Sequence, residues 1–369
     1  MESNGVIPQF RPLYSVKVPN AAKNGEVVEF FVETLKDGDE RALVVIRVHD
    51  DFVWLLHCLK TQDNVTGIIF PPLPSAPSTS VQAAEKRTKK QMGVNSNVLV
   101  GDDYGENFRA YEKFLTLCIT HPRLGHSNVL QRFLLEKEAP AKVKIRQGIL
   151  GTLTKAVDDI RTMNFKDSDN DFHNARINNN ENVKHMKEAA SAYQKYIDCE
   201  HRLSSAYSEI QKALTQIVSD QGNKMKMEEL CEVMWRAAEH ASEMSHVNAT
   251  NRQRTMGATL KLYAGYTQSQ QEMLNKRVFK LMELEKAKKN YEKAKPQKKQ
   301  QAENIMRNIE KELSDMTALA KPEMERHNRQ RILAMQSALT QVADSEIKNA
   351  RDGLAVFTKS YSEAQKMQI

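Results

Sequence analysis

Cysteine is scarce in this chain: four residues, Cys58, Cys118, Cys199 and Cys231, none in a CxxC pair. That scatter argues against a disulfide framework or a structural zinc site and fits reduced thiols. Glycine and proline are also few, 14 and 11, beside a hydrophobic content of 40%. The balance points to a folded, helix-rich chain and not a disordered one. Long apolar runs are missing. No stretch approaches the roughly 18 residues that a bilayer-spanning helix needs, and MESNGVIPQF holds no apolar signal core. Membrane contact is therefore expected to be peripheral. Catalytic signatures are missing too. There is no glycine-rich phosphate loop, GxSxG or HExxH, and the ten histidines show no metal spacing. The expectation is a non-enzymatic protein with no cofactor and no metal.

Charge is present but unevenly placed. Net charge is +7, from 54 Lys and Arg against 47 Asp and Glu. Residues 1–136 hold 15 bases and 16 acids, which leaves 39 and 31 for the rest. The second part is the polyanion-seeking part, and composition alone leaves nucleic acid, an acidic protein or an anionic membrane open.

The first part reads as strands. LYSVKV (13–18), EVVEFFVETL (26–35) and ALVVIRVH (42–49) are rich in β-branched and aromatic residues, and KDGD (36–39) carries a hairpin Asp-Gly. Three strands and a hairpin predict one antiparallel sheet. After Asp50 and Asp51 the period changes: Phe52, Leu55, Leu56 and Leu59 fall at helical spacing. FPPLPSAPSTS (70–80) predicts an extended proline-rich loop. Residues 75–105 read as weakly ordered apart from the basic EKRTKK (85–90). Helix resumes at Phe108, stops near His121-Pro122, and is followed by a short helix around Phe133.

From about residue 145 the chain reads as almost all helix. IRQGILGTLTKAVDDI (145–160) places Ile145, Ile149, Leu153, Val157 and Ile160 on one face, flanked by Lys142, Lys144, Arg146, Lys155 and Arg161. That pattern suits an interfacial wedge, and equally a helix docked on its neighbours. The stretch 161–180 reads as polar and broken. Three long helices follow, at about 181–219, 224–294 and 298–366, with apolar residues at steps of three and four. A helix of about 70 residues would be roughly 100 Å long. A narrow apolar stripe on three such helices calls for an antiparallel three-helix bundle that completes its core by dimerising. Pro322 predicts a kink in the third helix; Gly257 and Gly265 loosen the second.

A small sheet, a proline-rich loop, a His-Pro turn, a linker helix and three kinked long helices together resemble the sorting nexins that join a PX domain to a BAR domain. RVHDDFVWLLHCL followed by GIIFPPLP, and the terminal ADSEIKNARDGLAVF, most resemble the subgroup of sorting nexins 5, 6 and 32. The resemblance implies an α+β PX domain over 1–138, a linker with an amphipathic helix over 139–165, and an all-α, elongated, dimeric BAR domain over 166–369. PX domains that hold phosphatidylinositol 3-phosphate usually read Arg-Arg-Tyr-x-Asp-Phe at this junction. Here the line is Arg47, Val48, His49, Asp50, Asp51, Phe52. Val48 stands where the phosphate arginine would be and His49 where the tyrosine would be. Ala76 stands where the lysine after Pro-x-x-Pro would be, and Arg109 is out of register. Valine offers no donor, so the bidentate contact is lost and standard lipid grip is not expected. The subgroup instead reads peptides that add a strand to the sheet.

The strongest local signal is KAKKNYEKAKPQKK (286–299). Lys286, Lys288, Lys289, Lys293, Lys295, Lys298 and Lys299 face a single Glu292, and Pro296 marks a turn. Each basic residue near an anionic surface is worth roughly 1 kcal/mol, so the turn is a candidate membrane contact; the plainer reading is a solvated charged turn. The resemblance implies a cytoplasmic coat protein, peripheral on early endosomes and their tubules. Its implied partners are another PX-BAR nexin or itself, an anionic or phosphoinositide membrane, cargo receptor tails and dynactin, with no nucleic acid. The rival reading is a coiled-coil adaptor for motor or cytoskeletal proteins without direct lipid contact.

Overall fold

The computed structural model describes residues 10–24, 27–62, 65–76, 102–139, 165–217 and 224–367. The linker helix expected at Ile145 to Ile160 and the basic run 85–90 lie outside them. The chain forms two compact units. The first is Met1–Val183 with Gly265–Asn328, the second Lys184–Ala264 with Arg329–Ile369.

In the first unit, strands β1 (Tyr14–Lys17), β2 (Ala21–Asn24), β3 (Val27–Lys36) and β4 (Leu43–Val48) form one antiparallel sheet. The sequence reading of three strands is corrected to four. The ten-residue β3 is long enough to take β1 on residues 33–36 and β2 on residues 27–30 of one edge, with β4 on the other. Along β3, Val28, Phe30, Val32 and Thr34 are buried and alternate with more exposed neighbours, the period of a sheet with one covered face. The Asp-Gly turn is present, with Gly38 at φ +92°.

Helix α1 (His49–Lys60) follows β4 directly, and Asp51 Oδ2 accepts the Val48 N–H at 2.8 Å at its start. Helix α2 (Asp102–Ile119) begins six residues before the expected Phe108. A 3-10 turn (Leu124–His126) leads to α3 (Asn128–Leu135), whose first turn is capped by Ser127. These helices cover the sheet through an aromatic cluster. Tyr111 lies 4.3 Å from Phe30 and 4.5 Å from Phe52, and Phe52 lies 5.1 Å from Phe133, ring centre to ring centre. Trp54 packs against this core from its partly exposed edge.

The rest is helical: α4 (Asn170–Leu214), α5 (Lys224–Arg252), a π-helical turn (Gln253–Gly257), α6 (Ala258–Glu292) and α7 (Pro296–Lys366). The stretch 161–180 was expected to be broken, yet α4 starts at Asn170. Its polar sequence still offers one packed face, Phe172, Arg176 and Asn179, all buried. Asp169 Oδ1 accepts the Asp171 N–H at 3.0 Å in the first turn. Arg277 fixes this start: its Nε reaches Asp167 at 2.9 Å and its guanidinium lies 3.9 Å from the Phe172 ring. Pro322 sits inside α7, which continues through it.

Also within the first unit, the sheet domain docks on α6 and α7. A Cβ at Gly67 would lie 2.8 Å from both the Met316 carbonyl oxygen and the Ala320 nitrogen. One at Gly265 would lie 2.6 Å from Pro72. Both glycines therefore permit close backbone approach.

In the second unit, segments of α4, α5 and α7 run antiparallel and are tied by polar contacts. Ser242 meets Ser204 and Ser208, Asn251 donates to Ser345 at 2.7 Å, and Arg252 pairs with Glu200 at 2.8 Å and Glu346 at 2.6 Å. Large apolar side chains instead face outwards: Leu203 and Ile210 on α4, Met234 on α5, and Leu333, Leu339, Ile347, Leu354 and Tyr361 on α7.

Candidate lipid site, basic turn and apolar stripe

The junction of β4 and α1 holds Arg47, Val48 and His49, three of the four residues singled out as a degenerate lipid site with Ala76. Arg47, next to last in β4, lies on the face that points into the core and is fully buried. Its Nε and Nη2 donate to the Phe133 carbonyl at 3.0 and 2.8 Å, Nη1 donates to the Ile46 carbonyl at 2.8 Å, and Nη2 also reaches the Glu136 carbonyl. Burial pushes its guanidinium below the ordinary arginine range, against the pull of Asp51 and Glu136. Arg47 is thus a cross-link between β4 and the end of α3, with its donors turned to main-chain oxygens.

Val48 stands at the N-cap of α1 and contributes only its main chain there. His49 turns to the core: its Nδ1 lies 2.6 Å from the Tyr111 hydroxyl. Burial lowers its pKa, with Asp50 pulling the other way, so the ring is held neutral at physiological pH. Ala76 is exposed at the end of the proline-rich segment, and Arg109 is exposed on α2. The structure brings Arg47, Val48 and His49 together and leaves Ala76 without a charge to add. Tyr111 lies within the helix that the sequence predicts from Phe108, with nothing local to mark it as a partner of the junction. Its alignment with a histidine 62 residues away carries no local signal.

The seven lysines of 286–299 are all exposed. Lysines 286 to 289 close α6, Lys293 to Lys295 form the turn, and α7 opens on Pro296, a favoured first helical residue. Cations at a helix carboxyl end also offset the helix dipole, which is the plain structural account of Lys289 in the last turn. That account does not reach Lys298 and Lys299, which sit at the amino end of α7, where the dipole disfavours cations. Local neutralisation is slight: Lys288 approaches Glu310 at 3.5 Å, and Lys299 lies 5.4 Å from the Tyr291 ring.

On α7 of the second unit, Leu333, Ile347, Leu354 and Tyr361 are spaced by seven or twice seven. Their exposures are 57, 52, 70 and 64%. A heptad stripe of exposed apolar residues is the pattern that helical seams carry.

Comparison with known proteins agrees with this layout. The PX domain family profile matches residues 37–137. Over 366 residues the chain is 21% identical to sorting nexin-6 of Homo sapiens, covering 92% of this chain and 88% of that protein. Over 366 residues it is 20% identical to sorting nexin-32 of Mus musculus, covering 91% and 89%. Among solved structures it resembles the cryo-EM structure of the SNX-BAR Mvp1 tetramer. That TM-score is 0.59 at 12% identity, covering 94% of this chain and 99% of that one, and it bears on the fold alone.

Proposed function

We propose that this chain, a PX-BAR sorting nexin of the sorting nexin-6 and sorting nexin-32 type, is a dimeric endosomal coat subunit that binds curved anionic membrane through its basic turn. The coarser role, an endosomal membrane-associated sorting adaptor, follows from the family. The finer reading adds three elements. The bundle pairs with another PX-BAR nexin, or with a second copy, through the apolar stripe of α7. Lysines 286 to 299 contact acidic headgroups. The PX domain recognises cargo or a partner instead of gripping phosphatidylinositol 3-phosphate, in support of tubule-based retrograde sorting.

The observation that carries this reading is the set of seven exposed lysines on one helix-helix turn. Among the described residues no helix is long and apolar enough to cross a membrane. Withdrawal of Arg47 into the core supports the third element, because the junction then presents no guanidinium to a 3-phosphate.

Flotation with phosphatidylserine vesicles tests it, on the chain alone and on the chain mixed with a lipid-binding PX-BAR nexin. Wild type should float in at least the mixed sample, and K293E/K295E/K298E should stay at the bottom of the gradient. Equal flotation of both would remove the turn from the mechanism and favour the adaptor reading without lipid contact.

A further inference from the structure

His121 and Glu323, 202 residues apart, meet at the seam where the sheet domain docks on α7, and both side chains are buried. The Glu323 carboxylate collects four hydrogen bonds there. Oε1 accepts the Ile69 main-chain N–H at 3.2 Å and Arg326 Nη2 at 2.6 Å. Oε2 accepts His121 Nε2 at 3.3 Å and Arg326 Nε at 2.7 Å. The histidine's tautomer follows from its other nitrogen. Nδ1 accepts the main-chain N–H groups of Arg123 and Leu124 at 3.1 and 3.3 Å, so the proton sits on Nε2 and points at Glu323.

One carboxylate therefore ties three pieces together: the proline-rich segment through Ile69, the turn after α2 through His121, and α7 itself. Ile69 is fully buried yet lies outside the core cluster of the sheet domain. Its cover is at the seam, where Gly67 brings the backbone against Met316 and Ala320. A rim ion pair, Lys60 to Glu272 at 2.8 Å, joins the same two parts.

A purely apolar seam would hold the two parts without a charge. A buried carboxylate is costly unless its partners are in place, so it favours one docking geometry over neighbouring ones. Arg326 adds a second property. It is i+3 to Glu323 on the same helix and partly exposed, so Glu323 keeps its counter-charge when the sheet domain lifts away. The undocked state is thus not penalised by a lone charge.

We propose that Glu323 is a conformational latch that fixes the PX domain on α6 and α7, so that the PX surfaces and the lysine-bearing turn of the same unit act as one body. The latch stands on this geometry alone and holds whether or not the turn binds lipid.

Hydrogen exchange of the full chain, read by mass spectrometry, tests it. Loss of a charged partner predicts that E323Q speeds exchange in peptides covering 67–72 and 121–125 by about tenfold or more, with β3 and α1 unchanged. H121A should open the same peptides, and the double variant should open them no further than E323Q does, because both remove one interaction. Exchange in E323Q indistinguishable from wild type would overturn the latch, as would a uniform rise along the chain. Should E323Q fail to fold, H121A with unchanged exchange at Ile69 would overturn it alone. These readouts involve no lipid, so failure of the latch and failure of the membrane reading are separable.

Discussion

Arg47 grips Phe133 twice over: two of its nitrogens donate to the Phe133 carbonyl at 3.0 and 2.8 Å, and its guanidinium carbon lies 5.1 Å from the Phe133 ring. A cation at the edge of a presumed headgroup pocket is in fact spent on the carboxyl end of a helix, whose last carbonyls need donors. That choice separates two meanings of the same residue. An arginine that meets lipid would be dispensable for folding and needed for binding. This one should show the reverse.

Removing Arg47 should therefore unfold, not blind, the PX domain. R47A leaves the Phe133 carbonyl unpaired in a buried site and takes a donor from the part-buried Ile46 and Glu136 carbonyls. Charge-assisted bonds of this kind are worth roughly 1.5 to 3 kcal/mol each and are not additive, so a loss of about 3 kcal/mol or more is expected. R47K should recover little, because an ammonium cannot fork onto carbonyls in a plane. Calorimetry of the full chain reads the effect. A variant with wild-type thermal stability but weaker vesicle binding would contradict the assignment.

Salt should act strongly on membrane contact. If several of the seven lysines reach headgroups at roughly 1 kcal/mol each, K293E/K295E should weaken binding to acidic vesicles by about tenfold or more. Raising salt from about 0.1 M to about 0.5 M should do the same to wild type, since screening shortens the reach of exposed charge. Dimerisation should sharpen both effects by presenting two turns at once. Co-sedimentation across a salt series measures this, and a flat series would mean that apolar contact dominates.

The sequence was most legible where local rules decide the outcome. The Asp-Gly of 37–38 forms its hairpin turn, Asp50 and Asp51 open α1, and the three-four spacing of apolar residues marks the long helices. It was least legible where a distant partner decides. AAKN has little strand propensity, and β2 exists because the lower half of β3 lacked a neighbour on that edge. NDFHNARINNN reads as a broken loop, and becomes helix because Arg277 and Asp167 hold its first turn and Phe172 packs beneath them. Val48 was read as a lost phosphate contact from its side chain alone, but the inward use of Arg47 depends on α3, 86 residues on. Glu323 looked like one of many helix-face acids until the fold set Ile69 and His121 against it.

The seam at Glu323 should survive mild acid and open only in strong acid. Burial would raise its pKa, but hydrogen bonds from His121 and Arg326 and the charge of Arg326 outweigh this and hold it at about 2, against an ordinary 4.5. A depressed carboxylate contributes stability that is complete above about pH 4.5 and is lost as pH falls towards 2. Against the unfolded chain the span corresponds to about 3 kcal/mol, and Arg326 retains part of it when the seam opens. Exchange at the Ile69 amide should thus be unchanged from pH 7 to 5, after correction for intrinsic rates, and should accelerate below about pH 4. In E323Q that acid step should vanish. An acid step that persists in E323Q would instead place control on another group.

The apolar stripe of α7 gives the sharpest test of assembly. Gly353 faces inward, where a Cβ would lie 3.0 Å from Met244 Sδ, so the next residue, Leu354, faces away and is 70% exposed. In an isolated chain L354D should change fold stability by less than about 0.5 kcal/mol, since it alters a solvated position. At the centre of a helical seam the same change should cost about 2 kcal/mol or more, which is roughly 30-fold in the dissociation constant. Light scattering after size exclusion should therefore show a dimer for wild type, or for wild type mixed with a PX-BAR nexin. It should show a monomer for L354D at the same concentration, with unchanged helical circular dichroism. Ile347 and Tyr361 flank Leu354 at seven residues either side, and I347D and Y361D should reproduce the result because a heptad seam is buried along its length. A monomeric wild type in both samples, or an L354D protein that remains a dimer, would move the contact to another face.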